Sequence, residues 1–289
     1  MGDTTKKLER VGVVLDMPED EYHGGDELSS SAAKAIMKSP RHYEYTYLQG
    51  HSVSNSSFDL GTAVHAKLLG VGAEVVSVPE EYLSSDGGVR SKEAKEWKAT
   101  AEGEGKVVLA KKTVAEMNAI AESVLSHPYA RALLEAPGTA ETSVFSTCPE
   151  TGVKMRCRFD KLNENGLGVD LKTTKDVEPW SFAMAVKKLG YDLQHGHYLQ
   201  TAQYAGLEVP EMLFIAVGTS APYIPMVYQL DADYVEMGAR KAKVARERLL
   251  RHLESGHWPG YSEQIESLRP PIPAIAEYED LLEAEGAND

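Results

Sequence analysis

Asp160, Asp170 and Lys172 are the residues whose types and spacing could do chemistry together. Asp170 and Lys172 lie two apart in Val169-Asp170-Leu171-Lys172, a run that reads as a strand. Their side chains then share one face, while Val169 and Leu171 take the other. Asp160 follows Phe159 on the preceding strand, and the turn signal Asn163-Glu164-Asn165-Gly166 folds that strand back alongside. Two carboxylates and an ammonium converging at a sheet edge suit phosphodiester hydrolysis. Carboxylates hold Mg²⁺ through hard oxygens, and the metal polarises a phosphoryl oxygen and supplies hydroxide. A lysine beside them orients the water or offsets developing charge.

The Asp/Glu-x-Lys spacing discriminates poorly by itself. It occurs at Glu93-Lys95, Glu96-Lys98, Glu104-Lys106 and Asp170-Lys172, and only the last falls on a strand with a second carboxylate on the strand before it. The competing reading is a solvated strand face with a cross-strand charge pair worth under about 1 kcal/mol. Two flanking segments add weight. Gly61-Thr62-Ala63-Val64-His65 reads as helix and could present an imidazole, although a single histidine is more often structural. Gln194 and Tyr198 are i, i+4 neighbours on a later helix. His195 and His197 stand two apart and cannot chelate one ion from a regular helix, so they read as incidental or as contacts to a backbone phosphate.

The elements that must position these residues follow from periodicity and caps. A short strand is expected around 11–15, and Ser29–Ser31 and then Ser39-Pro40 open two helices. Further helices are expected at 58–69, 113–125 and 128–134. Residues 84–106, polar and Gly-rich at both ends, read as a mobile loop. Strands follow at 140–148, 152–162 and 167–173, helices at 179–188 and 192–206, strands at 211–218 and 223–230, and a long helix at 231–254. The order predicts an α/β domain with a mixed central sheet, flanked by helices and with the N-terminal helices packed on it. Residues 1–27 form a polar segment, 28–260 the single domain, and 261–289 a Pro-rich, acidic, loosely packed tail.

Bulk properties narrow the function classes. No run reaches the roughly 18 apolar residues of a membrane helix, and the start shows no secretory h-region. The two cysteines, Cys148 and Cys157, cannot hold a four-cysteine zinc or iron–sulfur site and suit a reducing cytoplasm. The net charge of −14 argues against a protein that coats nucleic acid nonspecifically, yet leaves room for a basic channel in an acidic body.

Gly61-x-x-x-His65, Asp160, Asp170-x-Lys172 and Gln194-x-x-x-Tyr198, in that order, resemble the RecB-like branch of the PD-(D/E)XK nucleases. More narrowly, the chain is similar to the RecE-like (exonuclease VIII-type) exonucleases of phages and prophages over about residues 22–260. Leu28-Ser29-Ser30-Ser31, Phe58-Asp59-Leu60-Gly61-Thr62-Ala63-Val64-His65, Arg156-Cys157-Arg158-Phe159-Asp160 and Asp170-Leu171-Lys172-Thr173-Thr174 carry that likeness, with Phe159 where the family name has Pro. The resemblance implies a restriction-endonuclease-like core. It implies Mg²⁺, with Mn²⁺ substituting, as one or two ions held by His65, Asp160, Asp170 and the Leu171 carbonyl, with Glu141 near a second ion. Lys172 would activate water, and Gln194 and Tyr198 would contact DNA beside the scissile phosphate.

The implied activity is degradation of linear double-stranded DNA from its ends, 5′ to 3′, leaving single strands for recombination. Such enzymes work as ring-shaped homo-oligomers beside a single-strand annealing protein, in the cytoplasm of a bacterial host. A ring would confine basic residues to its lumen, for which Arg41, Arg156, Arg158, Lys187 and Lys188 are the candidates. Alternatives are a nuclease of the same fold with another polarity or substrate, and a non-catalytic DNA-end-binding protein, which should have lost a ligand or the lysine.

Overall fold

The computed structural model describes residues 11–51, 60–84 and 88–286. Phe58 and Asp59, part of the expected histidine helix, lie outside them. Along the chain run β1 (Gly12–Val14), α1 (Glu19–His23), α2 (Ser30–Lys38), α3 (Pro40–Tyr43), a π-helical turn (Glu44–Leu48), α4 (Leu60–Leu69) and β2 (Val75–Ser77). Then come a 3-10 turn (Glu80–Tyr82), α5 (Lys92–Gly103), β3 (Val107–Leu109), α6 (Lys111–Ser126) and α7 (Pro128–Glu135). The meander β4 (Gly138–Thr147), β5 (Lys154–Asn163) and β6 (Gly168–Thr174) is followed by α8 (Pro179–Leu189) and α9 (Tyr191–Tyr204). The hairpin β7 (Met212–Gly218) and β8 (Pro225–Tyr228) leads into α10 (Ala232–Ser255), and α11 (Ile272–Gly286) closes the described chain.

Six strands form one mixed sheet in the order β1-β4-β5-β6-β7-β8. All neighbours are antiparallel except β6 and β7, which run parallel and are joined through α8 and α9. Alternation along β7 shows why the sheet is covered on both sides. Phe214 and Ala216 pack with Phe159, with Phe182 and Val186 of α8 and with Tyr198 and Ala202 of α9. Ile215 and Val217 pack with Val169 and Leu171, with Ala63 and Val64 of α4 and with Met117, Ile120 and Val124 of α6. A strand buried on both faces reads as a continuous apolar run, as Met212–Gly218 does.

Caps set the helix starts. Ser29 accepts the Ala32 N–H at 3.2 Å, Ser39 accepts that of His42 at 3.1 Å, and Asp231 accepts that of Tyr234 at 3.0 Å. Helix α9 crosses α10 at two glycines. A Cβ on Gly196 would stand 2.4 Å from the Gly238 carbonyl carbon, and one on Gly238 would stand 2.1 Å from the Asp192 oxygen. That close approach is what Gly196 contributes to the Gln194–Tyr198 segment.

Residues 92–103, expected as mobile loop, are helical. Ser91 caps α5, Ala94 and Ala101 are buried, and Lys92–Glu96 and Lys98–Glu102 form i, i+4 pairs at 3.7 and 3.6 Å. The Glu93-Lys95 and Glu96-Lys98 spacings therefore lie on a helix, where residues two apart do not face each other. Strands β2 and β3 pair in parallel as a separate ribbon that the sequence did not signal. The tail contains α11, which exposes Tyr278 and Leu281 and buries none of residues 272–285. No helix among the described residues is long and apolar enough to cross a membrane.

Candidate active site

The site lies where β5 and β6 part. Their ladder holds at Lys161↔Val169 and Leu162↔Gly168 and goes no further. At the next position Asp160 Oδ2 accepts the Leu171 N–H at 2.6 Å, so a side-chain oxygen replaces the missing main-chain partner. On the other edge of β5, the β4 ladder passes from Ala140↔Lys161 to Thr142↔Phe159 and skips the Glu141–Asp160 position. Glu141 takes a left-handed φ of 50° there. The pairing keeps the same register on either side, so the ladder is interrupted there without an inserted residue.

Two layers supply the groups. From the α4 side, His65 Nε2 stands 3.0 Å from the Leu171 carbonyl oxygen and Nδ1 stands 3.5 Å from Asp160 Oδ2. From the α9 side, Gln194 Nε2 donates to Asp170 Oδ1 at 2.6 Å. Asp170 Oδ2, buried, meets the half-buried Lys172 ammonium in an ion pair. Lys172 also lies 4.7 Å from the centroid of the Tyr191 ring. Tyr198 is buried edge-on to Phe159. Asp160, Asp170, Lys172, His65, Gln194 and the Leu171 carbonyl are thus brought to one fork, with Tyr198 in its wall.

The electrostatics follow from burial and like charge. Burial pushes the Asp160 carboxyl up to about 6, with His65 pulling it back and Asp170 adding to the rise. Burial disfavours the Lys172 ammonium, but the charges of Asp170 and Asp160 outweigh it and hold the pKa above the ordinary lysine value. Burial, first of all, raises the Tyr198 phenol well above its usual range, so it stays a neutral hydroxyl. Among the described residues no three His, Cys, Asp or Glu side chains form a ready-made metal cluster. Two carboxylates and a carbonyl oxygen remain, a set that suits Mg²⁺. That ion uses one or two carboxylates and keeps several waters, whereas Zn²⁺ wants nitrogen or sulfur donors.

Several expected site residues stand elsewhere. Arg156 is buried in a pair with Glu27 at 3.3 Å and donates to the His23 carbonyl, so it has no face for a phosphate. Arg158 bonds Ser143, Glu141 and the Met17 carbonyl and lies 4.2 Å from the Tyr22 ring centroid. Met17, Tyr22, His23 and Glu27 pack against these two arginines, which the sequence offered as lumen candidates. Glu141 is turned to Arg158 at 3.3 Å and is not drawn into the fork. His195 bonds Glu211 and His197 bonds the Arg156 carbonyl, each at 3.0 Å and fully buried, which rules out contact with a phosphate. Arg41 is exposed beside Glu44, and Lys187 and Lys188 are exposed at the end of α8. Sequence reasoning missed Lys34 and Tyr191. The stem of Lys34 lies against Gly190, and the Tyr191 ring receives Lys172.

Comparison with known proteins agrees with this architecture. A solved structure of a protein from Eubacterium rectale, provisionally assigned as an exonuclease, aligns with 90% of this chain and 97% of its own, with a TM-score of 0.59 at 13% identity. The solved structure of the protein SSO0001 aligns with 63% of this chain and 83% of its own at 11% identity, and its TM-score of 0.27 carries no argument. No curated protein matches the chain. The model of the PDDEXK-like domain of unknown function (DUF3799) matches residues 29–271, so the fork between β5 and β6 sits within a chain that belongs to that PDDEXK-like family.

Proposed function

We propose that this chain is a metal-dependent nuclease, and more specifically an exodeoxyribonuclease of RecE-like type that degrades linear double-stranded DNA from its ends. The observation that carries the reading is the meeting of Asp160, Asp170 and Lys172 at the β5–β6 fork, with Gln194 bound to Asp170. Asp160, Asp170 and the Leu171 carbonyl would hold Mg²⁺ or Mn²⁺, as one or two ions, with His65 beside them. When bound, the metal would polarise the scissile phosphate and lower the pKa of its water.

The protein's own groups do the rest. Lys172, kept protonated by Asp170 and Asp160, faces the developing negative charge. Gln194 fixes the Asp170 carboxylate through Oδ1 and so sets the direction of its second oxygen. Tyr198, held neutral, supports α9 against Phe159 and can donate a hydroxyl proton to a phosphate oxygen. The RecE-like assignment extends to 5′-to-3′ polarity, a ring of identical subunits, a single-strand annealing partner and a phage or prophage origin in a bacterial cytoplasm.

The test uses duplexes labelled at the 5′ or 3′ end, alongside covalently closed circles, with Mg²⁺. Loss of linear duplex with release of 5′-terminal nucleotides and intact circles is expected. Rapid cutting of closed circles would make the enzyme an endonuclease, and release from the 3′ end would reverse the polarity.

A further inference from the structure

Lys34 is the cation that the fork's chemistry does not yet use. Ser29 caps α2, and Ala32, Ala33, Ala35 and Ile36 are buried in one cluster with Met155 of β5, Leu193 of α9 and Ala245 and Leu249 of α10. Three alanines on that face let α2 sit close to the sheet and to both helices. Lys34 falls beside this face, at the junction of α8 and α9. A Cβ on Gly190 would stand 3.3 Å from Lys34 Cε, and Gly190 has a φ of 65°, so the junction suits a residue without a side chain and leaves room for the lysine stem. The Lys34 ammonium lies 5.5 Å from the Tyr191 ring centroid, and the Lys172 ammonium lies 4.7 Å from the same centroid.

One ring thus carries two ammonium groups. The carboxylates whose charge reaches Lys34 are Asp170, already bonded to Lys172 and Gln194, and Asp192, already paired with Lys241. Lys34 has no ion pair among the described residues. Burial and the charge of Lys172 lower its pKa to about 8. A half-buried cation beside a like charge is unfavourable unless an anion reaches it. A cation–π contact alone does not account for placing it next to the lysine of the reaction.

We infer that Lys34, aligned with Lys172 on the Tyr191 ring, binds a backbone phosphate of the strand that enters the fork. The inference rests on the nuclease reading and adds a contact from the N-terminal helix α2 to it. One phosphate contact contributes about one unit to the dependence of log affinity on log salt.

The experiment measures binding of a fluorescent linear duplex by the full chain in chelator, across a salt series, for wild type, Lys34→Met, Lys34→Arg and Lys38→Met. Lys38 is exposed at the end of the same helix. Lys34→Met should bind about 10-fold more weakly with a salt slope smaller by about one. Lys34→Arg should bind as wild type, and so should Lys38→Met. With Mg²⁺, Lys34→Met should also lose about 10-fold in kcat/KM, mostly through KM. Thermal melts check folding, and Lys34→Gln replaces Lys34→Met if the latter is unstable. Wild-type binding, slope and KM in a folded Lys34→Met or Lys34→Gln overturn the proposal while leaving the nuclease reading standing. A wild-type protein that neither binds nor cuts linear duplex removes both.

Discussion

Gly196→Ala tests whether the α9–α10 crossing positions the site. The added methyl would stand 2.4 Å from the Gly238 carbonyl carbon and 2.5 Å from the Ala239 nitrogen and the Gly238 oxygen. Carbon contacts settle at about 3.5–4.0 Å, so the helices must part by about 1 Å. Overpacking typically costs about 1–3 kcal/mol. The upper end applies, because the methyl meets backbone rather than a side chain that can rotate away. The shift reaches the chemistry through Gln194, two residues earlier, which holds Asp170 at 2.6 Å. A misplacement of about 1 Å can cost about 10²-fold in rate. Urea unfolding gives the stability loss. Cleavage of linear duplex with Mg²⁺, at a temperature where the variant stays folded, gives the rate. A variant that loses under about 1 kcal/mol and cleaves at the wild-type rate would refute the argument.

Other outcomes follow from single residues. His65→Ala should raise the Mg²⁺ needed for half-maximal cleavage, since His65 touches both Asp160 and the Leu171 carbonyl; Glu93→Ala and Lys95→Ala, at exposed positions of α5, should change nothing. Arg156→Ala should cost about 3–5 kcal/mol by stranding Glu27, read by urea unfolding, while leaving the salt dependence of DNA binding unaltered. Burial lowers the His197 pKa from 6.5 to about 4, so the native state holds the ring neutral where the unfolded chain protonates it. That contribution is complete above pH 6.5 and is lost as the pH falls toward 4, to about 3 kcal/mol. His197→Gln should flatten the fall of stability across that window, and an unchanged slope would show that His197 does not titrate as its burial requires.

The meander, the β7–β8 hairpin and the capped helices were legible because each announces its burial in its own spacing. Asp160, Asp170 and Lys172 were legible for the same reason, since period two puts Asp170 with Lys172 and a turn returns Asp160. Helix α5 was hidden because it is held by charge pairs and two small buried alanines rather than by an apolar stripe. The β2–β3 ribbon joins three-residue strands some thirty positions apart, with no local signal. Alternation put Arg156 and Arg158 on one face of β5 but could not show that Met17, Tyr22, His23 and Glu27 pack against them. Lys34 reaches the fork only through the packing of α2 on α9 and α10, which no spacing in the sequence encodes.

The central claim is tested most directly by the rate of linear duplex loss as Mg²⁺ is titrated, for wild type and for Asp160→Ala, Asp170→Ala and Lys172→Ala. Wild type should cleave only with the metal, and each variant should fall by about 10² or more, the loss of transition-state charge stabilisation. Cleavage that persists in excess chelator, or in Asp170→Ala at the wild-type rate, would contradict it.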